Sequence, residues 1–212
     1  MIKIHGTFWS RAARVVWAAE ELGLTYQHIP TTFTGGSRTP AHLEINPNGH
    51  IPVLDDNGLI VWESMAINLY LAEKFGRAPF WPADVGSHAH VYQWSFWGMT
   101  ETEPHVVAIF AHKALFPPER RSSAAVAAAA EALKAPLEVL DAQLERRPYL
   151  LGDEFTIADL NVAAVLWIGA YVKFDVSGTP NVQRWLRRCL ERPAFQRAST
   201  MDDTPHPTYG GD

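Results

Sequence analysis

The sequence predicts a two-domain fold, an α/β domain followed by an all-helical domain. Over the first 76 residues, short strand patterns alternate with helical patterns. A proline-rich stretch at residues 77–82 then indicates a linker. From about residue 86 to residue 199, apolar side chains recur at helical spacing. We place the first domain at residues 1–78, the linker at 79–85, the helical domain at 86–201 and a poorly ordered tail at 202–212.

The first domain is predicted to run in the order βαβαββα. Strands at residues 2–7 and 26–31 flank a helix at 10–23, and a short helix follows at 39–45. Asn57-Gly58 is a two-residue hairpin turn between strands at 51–55 and 59–62. The last helix starts at Glu63-Ser64, and Gly76 ends it. The apolar face of the first helix consists of Ala12, Val15, Val16, Ala19 and Leu22.

The second domain is predicted to be helical, with breaks at residues 117–118 and 147–148, where prolines occur. Residues 123–145 are rich in alanine and carry leucines on one face, but Pro136 should kink or split this helix. Thr179-Pro180 marks another helix start. At residues 156–159, Thr-Ile-Ala-Asp forms a capping-box pattern, so a buried helix begins there.

Composition and charge exclude several classes of function. The net charge of −5 and the lack of a dense basic cluster give no reason to expect nucleic acid, and the arginines of residues 184–188 fit the solvated face of a helix. The single cysteine, Cys189, excludes internal disulfides and cysteine-based zinc sites. The histidines lack the clustering of metal ligands, so we expect no metal. Without a recognisable signal peptide or apolar span, we expect a cytoplasmic protein that does not bind membranes.

The most informative stretch lies at residues 47–64. Ile51-Pro52 stands between a turn and a short apolar strand, where a proline fits only at the strand start or at an edge. Glu63-Ser64 follows the hairpin directly and opens a helix. A helix N-terminus offers free backbone N–H groups and a positive partial charge, which suit a carboxylate. This combination therefore predicts a site for a small polar ligand.

The pattern Asn-Pro-x-Gly-x-Ile-Pro-Val-Leu, followed by Glu-Ser, resembles the glutathione-binding half of the cytosolic glutathione S-transferase family. The resemblance implies a thioredoxin-like first domain, a cis Ile51-Pro52 bond, and pairing of the Ile51 backbone with the cysteinyl part of glutathione. It implies that Glu63 and Ser64 hold the γ-glutamyl end. The Thr-Ile-Ala-Asp motif is similar to the start of the central helix in the family's second domain. The family also implies glutathione as co-substrate and a homodimer.

Ser10 is the candidate catalytic residue. Glutathione chemistry needs the thiolate, which a hydroxyl donor at a helix N-terminus stabilises. Ser-x-x-x-Arg-Val at this position resembles the serine-type transferase classes, whose serine holds the glutathione sulfur. The alternative is that Ser10 only caps the first helix, and Thr7 is the fallback hydroxyl. Phe8 and Trp9 stand where other classes carry a tyrosine, and no cysteine lies near position 10.

Three basic residues are further candidates in the first domain. His50 precedes the proline motif, where many family members carry a lysine or glutamine that contacts the glycine carboxylate of glutathione. Its charge depends on pH. Arg38 is a second candidate for the same carboxylate. Arg14 is interpreted as a helix-surface arginine that either fixes the helix by a salt bridge or lends positive potential, and the structural role is favoured.

Family geometry places the second substrate between the loop after the first strand and the first long helix of the second domain. Core packing is the alternative role for each apolar candidate. Glu101 or Glu103 is a candidate contact to the glutathione amino group bound by the partner subunit. The apolar candidates are Phe8, Trp9, Trp97, Met99, Phe110 and Phe116.

The sequence therefore predicts a transferase that conjugates the glutathione thiolate to apolar electrophiles. The protein supplies orientation and anion stabilisation rather than a covalent intermediate. The alternatives are a specialised glutathione-dependent dehalogenase, isomerase or peroxidase, and a non-catalytic member that binds glutathione, hydrophobic ligands or other proteins. The non-catalytic alternative gains support if the Ser10 hydroxyl points away from the sulfur position.

Overall fold

The computed structural model describes residues 1–202, and this part of the chain folds into two compact units. Of the described residues, the first unit holds Met1–Trp81 together with residues 192–202, and the second unit holds Pro82–Glu191. The boundary between Trp81 and Pro82 lies within the proline-rich stretch. Of the predicted tail at 202–212, only Asp202 belongs to the described residues.

A four-stranded sheet forms the centre of the first unit. Its strands are β1 (Ile2–Gly6), β2 (Tyr26–Pro30), β3 (Val53–Asp56) and β4 (Leu59–Trp62), in the spatial order β2-β1-β3-β4. Strands β1 and β2 are parallel, whereas β1 pairs with β3 and β3 with β4 in antiparallel fashion. The predicted hairpin turn is confirmed, because Asn57 and Gly58 both have positive φ angles, 56° and 95°.

Three helices complete the predicted βαβαββα order: α1 (Ala12–Glu21), α2 (Pro40–Ile45) and α3 (Ser64–Phe75). A 3-10 turn at Gly36–Arg38 precedes α2. The helix α1 is buried at every position from Ala12 to Ala19. It packs together with α3 and β1, and the fully buried side chains there include Ile4, Val15, Val16, Leu54, Ile67 and Leu71.

The second unit consists of five helices and short turns. They are α4 (Val85–Trp97), α5 (Glu103–Phe110), α6 (Ser123–Gln143), α7 (Ile157–Tyr171) and α8 (Pro180–Leu190). The helix α7 is buried from Ile157 to Gly169. The predicted capping box is confirmed, since the Thr156 backbone N–H and hydroxyl each donate to Asp159 Oδ2 at 3.0 Å. Within residues 1–202, none of the helices has the length and apolarity needed to cross a membrane.

The predicted split of the alanine-rich helix does not occur, because α6 runs unbroken from Ser123 to Gln143 through Pro136. A proline in a helix interior costs roughly 3 kcal/mol. Against this cost, Leu133, Leu137 and Leu140 are buried along one face, as predicted. Each buried leucine contributes about 1.5–3 kcal/mol, so packing outweighs the lost hydrogen bond.

A short helix after the second unit, α9 (Pro193–Ala198), belongs to the first unit. Our predicted helical domain extended to residue 201, whereas the structure groups residues 192–202 with the sheet. The Arg192 guanidinium donates two hydrogen bonds to the Glu21 carboxylate at 2.6 and 2.8 Å. Phe195 packs edge-on against Trp17, with ring centroids 4.8 Å apart. These contacts join residues far apart in sequence, so local patterns did not indicate them.

Candidate functional site

The strand register brings three chain segments to one end of the sheet. His5 near the end of β1 is paired with Val53 at the start of β3, and Val53 is paired with Trp62 at the end of β4. The loop after β1, the residues before β3 and the start of α3 therefore meet. A Cβ atom added to Gly6 would lie 3.6 Å from the Cβ atom of Ile51, which shows how closely the first two segments approach.

Ser10 lies in the loop between β1 and α1 and is half-buried. Its hydroxyl donates to the Thr7 carbonyl oxygen at 2.7 Å and accepts from the Ala12 backbone N–H at 3.1 Å. Ser10 thus makes the capping contact that was the alternative role. To hold a sulfur anion, the hydroxyl would have to turn its hydrogen away from Thr7. The neighbouring Phe8 and Trp9 rings meet edge-on with centroids 5.6 Å apart.

The Ile51-Pro52 peptide bond is cis, as predicted. Ile51 lies just before the first paired residue of β3, and its side chain is buried. The carbonyl oxygen of the preceding residue, His50, is 2.9 Å from His42 Nε2 and accepts from Asn46 Nδ2, also at 2.9 Å. The buried side chains of His42 and Asn46 thus fix the backbone just before the cis peptide bond. The sequence patterns did not indicate either contact.

Glu63 and Ser64 lie at the junction of β4 and α3. Glu63 has φ 74° and ψ 115°, a conformation that an L-residue other than glycine adopts at a cost of about 1–3 kcal/mol. Its side chain is exposed, whereas Ser64 is buried. Arg14 Nη1 donates to Ser64 Oγ at 3.3 Å. Arg14 is only 1% exposed, so its interpretation as a helix-surface arginine is wrong.

Arg38 and His50 are both exposed and belong to the segments around α2. Arg38 Nη1 donates to the Asn48 carbonyl oxygen at 3.1 Å. Gly49 has φ 63°, and a Cβ atom there would lie 2.7 Å from Arg38 Nη1. The guanidinium therefore packs directly on the backbone of the loop that leads to the cis proline. The positive φ favours glycine here, and a side chain at this position would displace the Arg38 guanidinium.

A carboxylate from the end of the described chain reaches the loop that contains Ser10. Asp202 Oδ2 accepts a hydrogen bond from the Phe8 backbone N–H at 3.0 Å and lies 3.9 Å from His28 Nε2. The same histidine nitrogen is 2.7 Å from the Gly6 carbonyl oxygen. Sequence reasoning missed this contact, since Asp202 was assigned to the poorly ordered tail.

The other candidates lie in the second unit. Phe110 is buried in α5, whereas Trp97, Met99 and Phe116 are half-buried near the π-helical turns that follow α4 and α5. Of the two acidic candidates, Glu101 is exposed and Glu103 is buried. Their roles toward a second substrate or a partner subunit stay predictions. Across residues 1–202, no three histidine, cysteine, aspartate or glutamate side chains are grouped to hold a metal ion.

Comparisons with known proteins agree on one family. The models of the glutathione S-transferase N-terminal and C-terminal domains match residues 4–73 and 105–193. Over 90% of its length the chain is 32% identical to glutathione S-transferase GstB of Escherichia coli (strain K12), covering 96% of that protein. It is also 34% identical to the disulfide-bond oxidoreductase YghU of Escherichia coli (strain K12), with 82% of this chain and 62% of YghU covered. A crystal structure of the theta class glutathione S-transferase of Xanthomonas axonopodis pv. citri, with glutathione bound, is 32% identical and superimposes with a TM-score of 0.85. The match covers 95% of this chain and 98% of that one.

Proposed function

The chain belongs to the cytosolic glutathione S-transferase family, and we propose that it conjugates the thiolate of glutathione to electrophilic, apolar small molecules. The observation that carries the proposal is the meeting of Ser10, the cis Ile51-Pro52 segment and Glu63-Ser64 at one end of the sheet. A related transferase of known structure contains bound glutathione, and GstB carries the name of the same activity.

Glutathione binds along this sheet end as an extended peptide. The backbone of Ile51, just before the paired part of β3, hydrogen-bonds the cysteinyl residue. Glu63 and Ser64 hold the amino and carboxylate groups of the γ-glutamyl end. The backbone N–H groups at the start of α3 favour an anion there, and the buried positive charge of Arg14, 3.3 Å from Ser64 Oγ, adds to that preference.

The glycine carboxylate of glutathione is assigned to Arg38 and His50. The packing of Arg38 on Gly49 restricts the positions of its guanidinium. His50 adds a second hydrogen-bond donor. We expect Arg38 to provide the larger part of this contact, because a planar guanidinium can bind both oxygens of a carboxylate.

Ser10 acts by donating its hydroxyl hydrogen to the glutathione sulfur, which favours the thiolate over the thiol. The sulfur lone pair then attacks an electrophilic carbon, a C–S bond forms, and the leaving group departs with its bonding electrons. Phe8 and Trp9 belong to the same loop as Ser10, but both side chains are buried, so their role toward the second substrate stays a prediction. A role toward the second substrate also stays a prediction for the apolar residues of the second unit, which are Trp97, Met99, Phe110 and Phe116. The homodimer and the cytoplasmic location likewise stay predictions.

A second candidate is a member that binds glutathione without turnover. The observation that favours it is the pair of hydrogen bonds that Ser10 already makes to the Thr7 carbonyl and the Ala12 N–H. A route through an enzyme thiol, by contrast, has no support, because the only cysteine of the sequence, Cys189, is fully buried in α8 of the second unit.

The test combines glutathione binding with conjugation of chlorodinitrobenzene. We expect the native protein to bind glutathione and to conjugate it to this electrophile. We expect Glu63→Gln to weaken glutathione binding by about tenfold or more, because a charge-assisted hydrogen bond contributes roughly 1.5–3 kcal/mol. Glu73→Gln is the matched control, since Glu73 is exposed on the same helix but near its C-terminal end. Binding without turnover on any electrophile of a broad panel would favour the second candidate. No binding, or equal weakening by both variants, would refute the proposed site.

A further inference from the structure

A cavity of about 250 Å³ in the second unit is lined by four arginines. Arg146 and Arg147 come from the turn after α6, and Arg184 and Arg188 lie one helical turn apart on α8. We call this cavity the arginine cleft. The whole chain has a net charge of −5 and only 18 lysines and arginines, so the cleft gathers positive charge in a protein that is otherwise acidic.

Two of the guanidinium groups are held in place by neighbouring side chains and backbone. Arg188 Nη1 donates to the Pro148 carbonyl oxygen at 2.7 Å, and its guanidinium lies over the Tyr149 ring, 5.5 Å from the centroid. Arg184 donates to the Asn181 side chain. Because a restrained arginine loses less side-chain entropy when a ligand binds, this arrangement favours binding.

Asn181, which positions Arg184, is itself fixed. Its side-chain Nδ2 donates to Asp141 Oδ2 at 2.8 Å, and its backbone N–H donates to Asp141 Oδ1 at 2.7 Å. The contact joins α6 to α8, so the helix that carries Arg184 is tied by hydrogen bonds to its neighbour. A ligand site on helices is more precise than one on loops.

The positive charge of the arginine cleft is poorly balanced. Of the four arginines, Arg146 is the only one in an ion pair with a described residue, at 3.7 Å from Glu145, and both side chains are largely exposed. Arg184 and Arg188 stand at i and i+4 on α8, where like charges repel. With Glu145 counted, the cleft keeps an excess of about three positive charges, which a bound polyanion would neutralise.

We propose that the arginine cleft binds a small ligand carrying a diphosphate or two neighbouring phosphate groups. The planar guanidinium fork matches phosphate oxygens in a bidentate geometry. The volume lies below the roughly 300–1,000 Å³ typical of sites for drug-sized ligands, so it suits a compact polyanion. The overall negative charge of the chain disfavours a nucleic acid polymer as the occupant. The inference is independent of the glutathione site, whose residues lie in the first unit.

Isothermal titration of the full chain with inorganic pyrophosphate at low salt tests the proposal. We expect one site, and we expect Arg184→Gln and Arg188→Gln each to weaken binding by about tenfold or more. Arg187→Gln is the matched control, because Arg187 lies beside Arg188 on α8 but lines a different cavity. We expect Arg187→Gln to change the pyrophosphate affinity by less than about twofold, because salt screens a charge that lies farther from the ligand. Circular dichroism verifies that each variant is folded, and glutathione binding should be unchanged in all three.

Four results would overturn the inference. One is the failure of pyrophosphate to bind, and another is equal weakening by all three variants, which would indicate diffuse attraction to a basic helix. The other two concern the nature of the ligand. Citrate binding as tightly as pyrophosphate would contradict the phosphate assignment, and a single-stranded RNA that displaces pyrophosphate at equal concentration would assign the cleft to a polymer.

Discussion

The Ser10→Ala substitution separates the two roles that the structure allows for this hydroxyl. The change removes the acceptor for the Ala12 N–H, 3.1 Å away, and it removes the only hydrogen that the side chain can donate to sulfur. Loss of a serine cap destabilises a protein by about 0.5–2 kcal/mol. Loss of a donor to an anion costs about 1.5–3 kcal/mol, which is a factor of roughly 10–150 in rate at neutral pH.

The same free energy sets a shift in the pH dependence. If Ser10 stabilises the thiolate, the substitution should raise the pKa of the bound glutathione thiol by about 1–2 units, since one unit corresponds to roughly 1.4 kcal/mol. Conjugation rates measured from pH 5 to pH 10 should therefore keep a similar plateau at high pH and fall mainly at neutral pH. Glutathione affinity, measured by titration calorimetry, should change much less than the rate.

Two control variants isolate the capping role. Ser122→Ala removes a similar cap from α6, where Ser122 Oγ accepts from the Ala125 N–H at 3.2 Å. It should lower the midpoint of thermal unfolding to a similar extent without changing the pH profile. Ser10→Thr keeps a hydroxyl and should retain most of the activity. Native-like rates and an unshifted profile for Ser10→Ala would refute the reasoning and point to Thr7 or a backbone donor.

Two further predictions concern buried charges in the first unit. Arg14→Gln should lower the free energy of unfolding by about 2–3 kcal/mol, because packing and a charge-assisted hydrogen bond are lost. It should also weaken glutathione binding. Urea unfolding measures the stability and titration calorimetry the affinity, and an unchanged affinity would leave Arg14 with a structural role only. The Lys74 ammonium, which donates to Asp56, holds the pKa of that buried carboxyl below its ordinary value, so this stabilisation is present at neutral pH and is lost as the pH falls below about 4. The free energy of unfolding should therefore fall less steeply between pH 7 and acidic pH in Asp56→Asn than in the native protein. Asp153→Asn, a change at an exposed position, should leave this pH dependence unchanged.

Local sequence patterns predicted the strands and helices of the first unit, but not the strand pairing that brings the segments of the site together. The turn at Asn57-Gly58 and the helix start at Ser64 follow from residue types and spacing within a few positions. The site depends on the pairing of His5 with Val53, 48 positions later in the chain, which nothing in either strand specifies. The family resemblance supplied what the local patterns lacked, because it linked Ser10 with the proline motif before any register was known.

Arg14 shows why burial was harder to predict than secondary structure. An arginine within an amphipathic helix is assigned to the water-facing side by default. In α1, however, every position from Ala12 to Ala19 is buried, since the helix packs against neighbours on more than one side. The signal was present in the composition, where Arg14 is the only charged residue in a run of eight otherwise apolar ones. A charge inside such a run indicates a buried partner, and one such partner is Ser64, 50 positions away.

Glu63 connects the strain of the backbone with the proposed chemistry. At φ 74° a glycine would relieve a cost of about 1–3 kcal/mol, yet the position holds a residue whose carboxylate is exposed beside the start of α3. Strained residues of this kind persist where the surrounding structure holds them and where the side chain has a role. Ser64, buried and bonded to Arg14, fixes the backbone on one side, and β4 fixes it on the other. The backbone at Glu63 is thus held in this conformation from both sides, which supports the role we propose for its carboxylate toward the amino group of glutathione.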